Sequence, residues 1–137
     1  MKTCVIYVSH TGNTKRLAET IAETLKVPII NVTTASPNDV AEFDLLIAGT
    51  PVIGLKPAPE ILSFIDSLPE TEGKKAILFC TYAFMKGTAP KVMEEKLGFK
   101  GYRTVLKVDK RGVKPGKADF DDVLDRVEKA VNEQCLL

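Results

Sequence analysis

The segment Ser9-His10-Thr11-Gly12-Asn13-Thr14 gathers hydroxyl, amide and imidazole side chains around one glycine. It follows a short apolar run, Cys4-Val8, and leads directly into a helical pattern in which Leu17, Ile21 and Leu25 recur every four residues beside Ala18 and Ala22. A loop in that position lies at a helix N-terminus, where unpaired N–H groups and the helix dipole favour an anion. Ser9, Thr11 and Thr14 add hydroxyl donors, Asn13 adds an amide, and Gly12 permits close approach of a ligand to the backbone. The chemistry implied is capture of a terminal phosphate by neutral donors. Helix capping alone needs one such side chain.

Two other phosphate loops are excluded. No G-x-x-x-x-G-K-[ST] occurs, so no triphosphate and magnesium cradle is indicated, and one glycine is too few for a G-x-G-x-x-G dinucleotide turn. A response-regulator receiver needs acids at the ends of strands one and three, where Ser9-His10 and Thr50-Pro51 stand instead. His10, the sole histidine, reads as a solvent-facing spacer in the loop.

The elements that must position this loop are legible from end to end. Apolar runs at Cys4-Val8, Pro28-Val32, Leu45-Gly49, Ala76-Cys80 and Tyr102-Val108 alternate with amphipathic stretches, the pattern of βαβ units and a parallel sheet. Leu45-Ala48 and Ala76-Phe79 are continuously apolar, as in strands covered on both faces, whereas Tyr102-Val108 interleaves charges and suits an edge. Ser36-Pro37-Asn38-Asp39 reads as a capped short helix. Ile61, Phe64, Ile65 and Leu68 stripe a helix opened by Pro59 and Glu60, Thr88 caps another that ends before Gly98, and Phe120, Val123, Leu124, Val127 and Val131 stripe the last. Five strands in the open order 2-1-3-4-5 fit this pattern, and a Rossmann half-domain shares the alternation. In such a sheet ligands bind at the carboxyl ends of the strands where the order reverses, which selects the loops Ser9-Thr14, Thr50-Pro57 and Thr81-Gly87.

Composition bounds the rest. With 137 residues, 45% hydrophobic and 27% charged, the chain is expected to form a single domain over 1–137. A net charge of +1 gives no electrostatic case for a nucleic-acid partner. Cys4, Cys80 and Cys135 form neither a C-x-x-C pair nor a zinc pattern, and their odd number suits a reducing cytoplasm. The N-terminal apolar run is too short for a signal peptide or a membrane span.

Ser9-Thr14, after Val5-Ile6-Tyr7-Val8 and before Arg16-Leu17-Ala18, resembles the phosphate loop of the flavodoxins, and Gly49-Thr50-Pro51-Val52-Ile53-Gly54 with Lys56-Pro57-Ala58-Pro59 resembles their second flavin loop. The resemblance extends over the whole chain and is to the short-chain type. It implies a flavodoxin-like α/β three-layer fold with a five-stranded parallel sheet, and a noncovalent flavin mononucleotide (FMN). The phosphate would sit on Ser9, His10, Thr11, Gly12, Asn13 and Thr14, and the isoalloxazine ring between Thr50, Pro51, Val52, Ile53, Gly54 and Thr81, Tyr82, Ala83. Flavodoxins usually flank the ring with aromatics, often a Trp. This chain has no Trp, Ile53 stands at the inner position, and Tyr82, then Phe84, are the remaining stacking candidates. In the family a small residue at the Gly54 position lets a peptide reorient so that its carbonyl accepts a hydrogen from reduced flavin N5.

The resemblance further implies an electron carrier working between a reductase and an acceptor, rather than a self-sufficient oxidoreductase. An FMN-dependent NAD(P)H or quinone reductase and a flavin-free interaction module are the alternatives. The segment Asp109-Gly116, the one stretch that could accommodate a second substrate, reads more simply as a turn-rich connection. Many carriers of this family are acidic around the flavin. Here Lys15, Arg16, Lys56 and Lys86 lie in or beside the three loops, which contain no acid, so the expected redox partner presents an acidic docking face to a monomer.

Overall fold

β1 (Thr3–Tyr7) is buried along its whole length, and its side chains divide between two cores. In the computed structural model, which describes residues 1–112 and 120–135, this division runs through the whole sheet. Cys4 and Ile6 of β1, Leu46 and Ala48 of β3 (Leu45–Ile53), and Ala76 and Leu78 of β5 (Lys74–Tyr82) join Ile61, Phe64, Ile65, Met93 and Leu97 on one face. Val5, Tyr7, Leu45, Ile47, Ile77 and Phe79 join Leu17, Ile21, Val123, Val127 and Val131 on the other. Period-two alternation thus feeds both layers, which is why these strands read as unbroken apolar runs. Truncating a residue such as Ile47 to alanine would cost ~2–5 kcal/mol, because so enclosed a site cannot collapse around the void.

The strand order is β2-β1-β3-β5-β6, with β2 at Ile29–Asn31 and β6 at Tyr102–Arg111, all parallel. This is the expected 2-1-3-4-5 order once a sixth, two-residue strand is set aside. That strand, β4 (Lys56–Pro57), pairs antiparallel with the end of β3 through Ile53 and Val52. The helices are α1 (Asn13–Leu25), α2 (Pro59–Asp66), α3 (Ala89–Phe99) and α4 (Asp121–Cys135). A 3-10 turn at Pro37–Val40 carries the expected capping box, Ser36 Oγ accepting from Asn38 N–H while the Asp39 carboxylate accepts from Ser36 N–H.

The differences from the sequence reading lie at element ends. β3 and β5 each run beyond their apolar runs, to Ile53 and Tyr82, and β6 continues through Arg111. α3 passes through Gly98, because the glycine is exposed on a helix held by Met93 and Leu97, both fully buried. β6 is an edge, as its charges suggested, and its register with β5 shifts between Ala76 and Ile77, an irregularity typical of sheet edges.

Candidate functional site

The carboxyl end of β1 delivers Ser9 to the start of α1. Gly12, at φ 101°, turns the chain there, and α1 begins at Asn13 without a side-chain cap. Its first N–H groups are therefore left to other acceptors. The Ser9 hydroxyl oxygen accepts from the N–H groups of Gly12 and Lys15, both at 3.2 Å, so a single neutral oxygen lies on the donors of the first turn. Asn13 and Thr14 are buried. The Asn13 amide donates to the carbonyl of Gly112 at 3.1 Å, while its Oδ1 is buried and has no partner among the described residues. Thr14 Oγ1 lies 2.6 Å from Thr81 Oγ1. The loop thus presents donors at a helix end together with one orphaned acceptor, a costly arrangement unless a ligand supplies a hydroxyl.

The second loop is a hairpin. β3 continues through Pro51, Val52 and Ile53, the chain turns at Gly54 and Leu55, and β4 returns. Thr50 is fully buried; its hydroxyl accepts from Ala58 N–H at 3.0 Å and donates to the Pro51 carbonyl at 2.9 Å, tying the hairpin to the start of α2. Its side chain serves the scaffold.

The third loop begins as β5 ends. Thr81 is buried, and Tyr82 and Ala83 are half-buried. Between this loop and the hairpin lies an open cleft of about 240 Å³, lined by Val52, Gly54, Leu55, Ala83, Phe84 and Met85. Phe84 lines it and Tyr82 does not, although Tyr82 was the first aromatic suggested by the sequence. Ile53, Leu55, Phe84 and Met85 are exposed, Phe84 by 80%, and they gather at this one end of the sheet.

The charges around the loops differ from the sequence picture, because tertiary structure brings in acids from other elements. His10 Nε2 lies 2.6 Å from Glu60 Oε2 on the first turn of α2, so His10 is a partnered residue and not a spacer. The Glu60 carboxyl is held below its ordinary range by its own backbone N–H at the helix start and by His10. Lys86 pairs with Asp109 at 3.0 Å, which raises the lysine pKa. Arg16 lies over the Phe120 ring at 5.6 Å. Of the four cations noted beside the loops, these last two are thus engaged locally.

The sequence reading missed Arg111 and Gly112. Arg111 Nε donates to the Ala83 carbonyl at 2.9 Å, and Gly112 donates its N–H to the Tyr82 carbonyl at 2.9 Å while accepting from Asn13. The segment taken as a connecting turn is therefore strand up to Arg111, and with Gly112 it packs between the Ser9–Thr14 loop and the third loop. Its remaining part, 113–116, lies outside the described residues. The signal available in sequence was the charged alternation Lys107-Val108-Asp109-Lys110-Arg111, which prolongs the edge-strand pattern. Among the described residues no group of three or more His, Cys, Asp and Glu is arranged to hold a metal ion, and no helix is long and apolar enough to cross a membrane.

A doubly wound parallel sheet, a helix start without an N-cap side chain beside the β1/β3 reversal of strand order, and an apolar cleft between the ends of β3 and β5 define a flavodoxin-like domain. A family model described as a flavodoxin domain matches residues 4–123. An uncharacterized protein of Methanocaldococcus jannaschii is 34% identical over 105 residues, covering 74% of this chain and 69% of its own. The flavodoxin of Clostridium beijerinckii is 31% identical over 110 residues, covering 74% of this chain and 78% of its own. Among solved structures, oxidised flavodoxin 1 from Bacillus cereus superposes with a TM-score of 0.79 at 22% identity, over 96% of this chain and 98% of that one, a likeness of fold. This chain belongs to the flavodoxin family, whose cofactor is FMN.

The residues present fit that cofactor. The donors at the start of α1 suit a phosphate, the orphaned Asn13 Oδ1 suits a hydroxyl of the ribityl chain, and the cleft between hairpin and third loop suits a planar apolar ring. Family membership supports an FMN-binding, electron-transferring role in general.

Proposed function

We propose that this protein is an electron carrier of the short-chain flavodoxin type, one domain over 1–137, acting as a cytoplasmic monomer between a reductase and an acceptor. The observation that carries the reading is the start of α1, where Gly12 supplies no capping side chain and the Ser9 hydroxyl stands on the first-turn N–H groups, beside the buried Asn13 Oδ1 that has no partner among the described residues. Ser9 to Thr14 would bind the phosphate end, with the Ser9 hydroxyl yielding the Gly12 and Lys15 N–H groups to it. The main chain of Thr50 to Gly54 and of Thr81 to Ala83 would frame the ring, with Phe84 lining the cleft between hairpin and third loop. Bound FMN supplies one- and two-electron chemistry, while the chain binds, orients and shields it.

The exposed Ile53, Leu55, Phe84 and Met85, rimmed by Lys56, Lys86 and Arg111, have the anatomy of a docking face: apolar centre, charged edge. An excess of cations at that edge favours an acidic partner.

Titration of the purified protein with FMN, followed by absorbance and by quenching of free-flavin fluorescence, tests the reading. Stoichiometric binding that is lost by about tenfold or more in Asn13→Ala supports it, the loss corresponding to one charge-assisted or buried hydrogen bond. No binding by the parent protein leaves the interaction-module alternative. Steady NAD(P)H consumption by the FMN-loaded protein alone replaces the carrier with a reductase.

A further inference from the structure

Two residues other than glycine have positive φ among those described, and they differ in kind. Lys26, at φ 57°, ends α1, where a left-handed residue is the ordinary way to close a helix. Leu55, at φ 70°, has no such reason. It forms with Gly54, at φ 56°, the two-residue turn of the β3–β4 hairpin. Turns of this length that match the strand twist need positive φ at both positions, and Asn, Asp and Gly are the usual occupants. Leucine is a poor one, since its Cβ crowds the following carbonyl. Leu55 is 47% exposed, so core packing does not hold it in place.

What holds it is the start of α3. The Leu55 carbonyl accepts two hydrogen bonds from Thr88, from the N–H at 2.9 Å and from Oγ1 at 3.2 Å. Thr88 stands at the N-cap position of α3 but does not cap the helix with its side chain; its hydroxyl is turned to the hairpin instead. Gly87 completes the contact. It too is left-handed, at φ 54°, and a Cβ there would lie 2.5 Å from both the Leu55 carbonyl oxygen and the Leu55 Cβ. Both its conformation and the close approach require glycine. The turn that lines the cleft is thus fastened to the third loop from outside, at a site where local strain would otherwise be released.

We propose that Gly87 and Thr88 form a clamp that favours the left-handed conformation of the Gly54–Leu55 turn, against which any reorientation of the Gly54 peptide must work, and that they are positioning residues for the backbone facing the flavin ring. The second half of this statement rests on the FMN reading; the first does not. Every bond of the clamp lies within the chain, so the turn is held without help from the ring and less ordering is needed when the ring arrives. It also couples the hairpin to the third loop, so a change on either side of the cleft is felt on the other.

The test uses the full chain in two states, with Thr88→Val, Thr88→Ser and Gly87→Ala. Thr88→Val keeps the N–H and the β-branch and removes the hydroxyl; Thr88→Ser keeps the hydroxyl. In the apoprotein, amide exchange at residue 88 and the intraresidue HN–Hα NOE of Leu55, strong only at positive φ, read the clamp directly. We expect exchange to rise about tenfold in Thr88→Val and further in Gly87→Ala, with Thr88→Ser at the parent rate, as for local opening of one exposed contact. Unchanged exchange and NOE in both Thr88→Val and Gly87→Ala would show that the turn holds itself, and would overturn the clamp. In the FMN-loaded protein the readout is the separation of the two one-electron potentials, which should change in the same two variants and return in Thr88→Ser. Altered exchange without any change in that separation would remove the positioning role. Failure of the parent protein to bind FMN would overturn the FMN reading and that role together, while the apoprotein data would still decide the clamp.

Discussion

The hydroxyls of Thr14 and Thr81 stand 2.6 Å apart, both side chains buried, and join the first turn of α1 to the end of β5. Residues 67 apart in the chain thereby lock the Ser9–Thr14 loop to the third loop. Replacing either threonine by valine keeps shape and volume but strands the other hydroxyl, which costs ~1–3 kcal/mol. Replacing both should cost clearly less than the sum of the two, since the double variant leaves no orphan. Urea unfolding of the two single variants and the double variant measures this, and strict additivity would show that the two hydroxyls do not act as a pair.

Glu60 ties stability to acid pH. Its folded-state pKa is lowered by its own backbone N–H at the start of α2 and by His10. A lowered carboxylate pKa stabilises the fold above the unfolded-state value, and the contribution disappears as pH falls through the folded one. The melting temperature of Glu60→Gln should therefore lie slightly below the parent at neutral pH, and the gap should close as the pH is taken below the ordinary carboxylate range. The gap will be small, because both partners are more than a third exposed. A gap that widens in acid would contradict the assignment.

The three thiols should separate cleanly. Burial pushes both Cys4 and Cys80 up to about 12, helped at Cys4 by Glu42 and at Cys80 by Asp109, whereas Cys135 is exposed. Since the thiolate is the reacting form, a disulfide reagent at mildly alkaline pH should modify Cys135 alone in the native protein and all three after unfolding. Rapid labelling of Cys80 in the folded state would mean that the strand end opens.

The proposed docking face predicts a salt dependence. Electron exchange with a candidate reductase or acceptor should slow as ionic strength rises past about 0.1 M, where screening acts within ~10 Å. Lys56→Glu should lower the rate at low salt and flatten its slope. Lys56 is the better probe, because Lys86 is already matched by Asp109. A rate that rises with salt would point to a partner of the opposite sign.

Much of the fold could be read from local pattern. The apolar runs of β1, β3 and β5 needed no knowledge of the tertiary structure, since a strand buried on both faces must be apolar at every position. The stripe Leu17, Ile21 and Leu25 located α1, and Ser36 with Asp39 located the 3-10 turn. The two-residue β4 was beyond this reading. Lys56-Pro57 has no strand signal of its own, and it pairs with Val52 and Ile53 only because the chain turns back at Gly54 and Leu55. Thr88 was recognised as a helix start, yet its hydroxyl serves Leu55, a choice that depends on where a distant turn lies.

The chain alone determined the layering and the placement of neutral donors at the head of α1, because each follows from short-range periodicity and side-chain chemistry. The tertiary structure decided the strand order, against a Rossmann half-domain with the same alternation. Only the tertiary structure decided which partners those residues meet. It paired His10 with Glu60, Thr14 with Thr81 and Lys86 with Asp109, and it brought Gly112 to Asn13 while leaving Asn13 Oδ1 without a partner among the described residues. These contacts join residues far apart in sequence, and their geometry exists only after the strands have aligned their carboxyl ends.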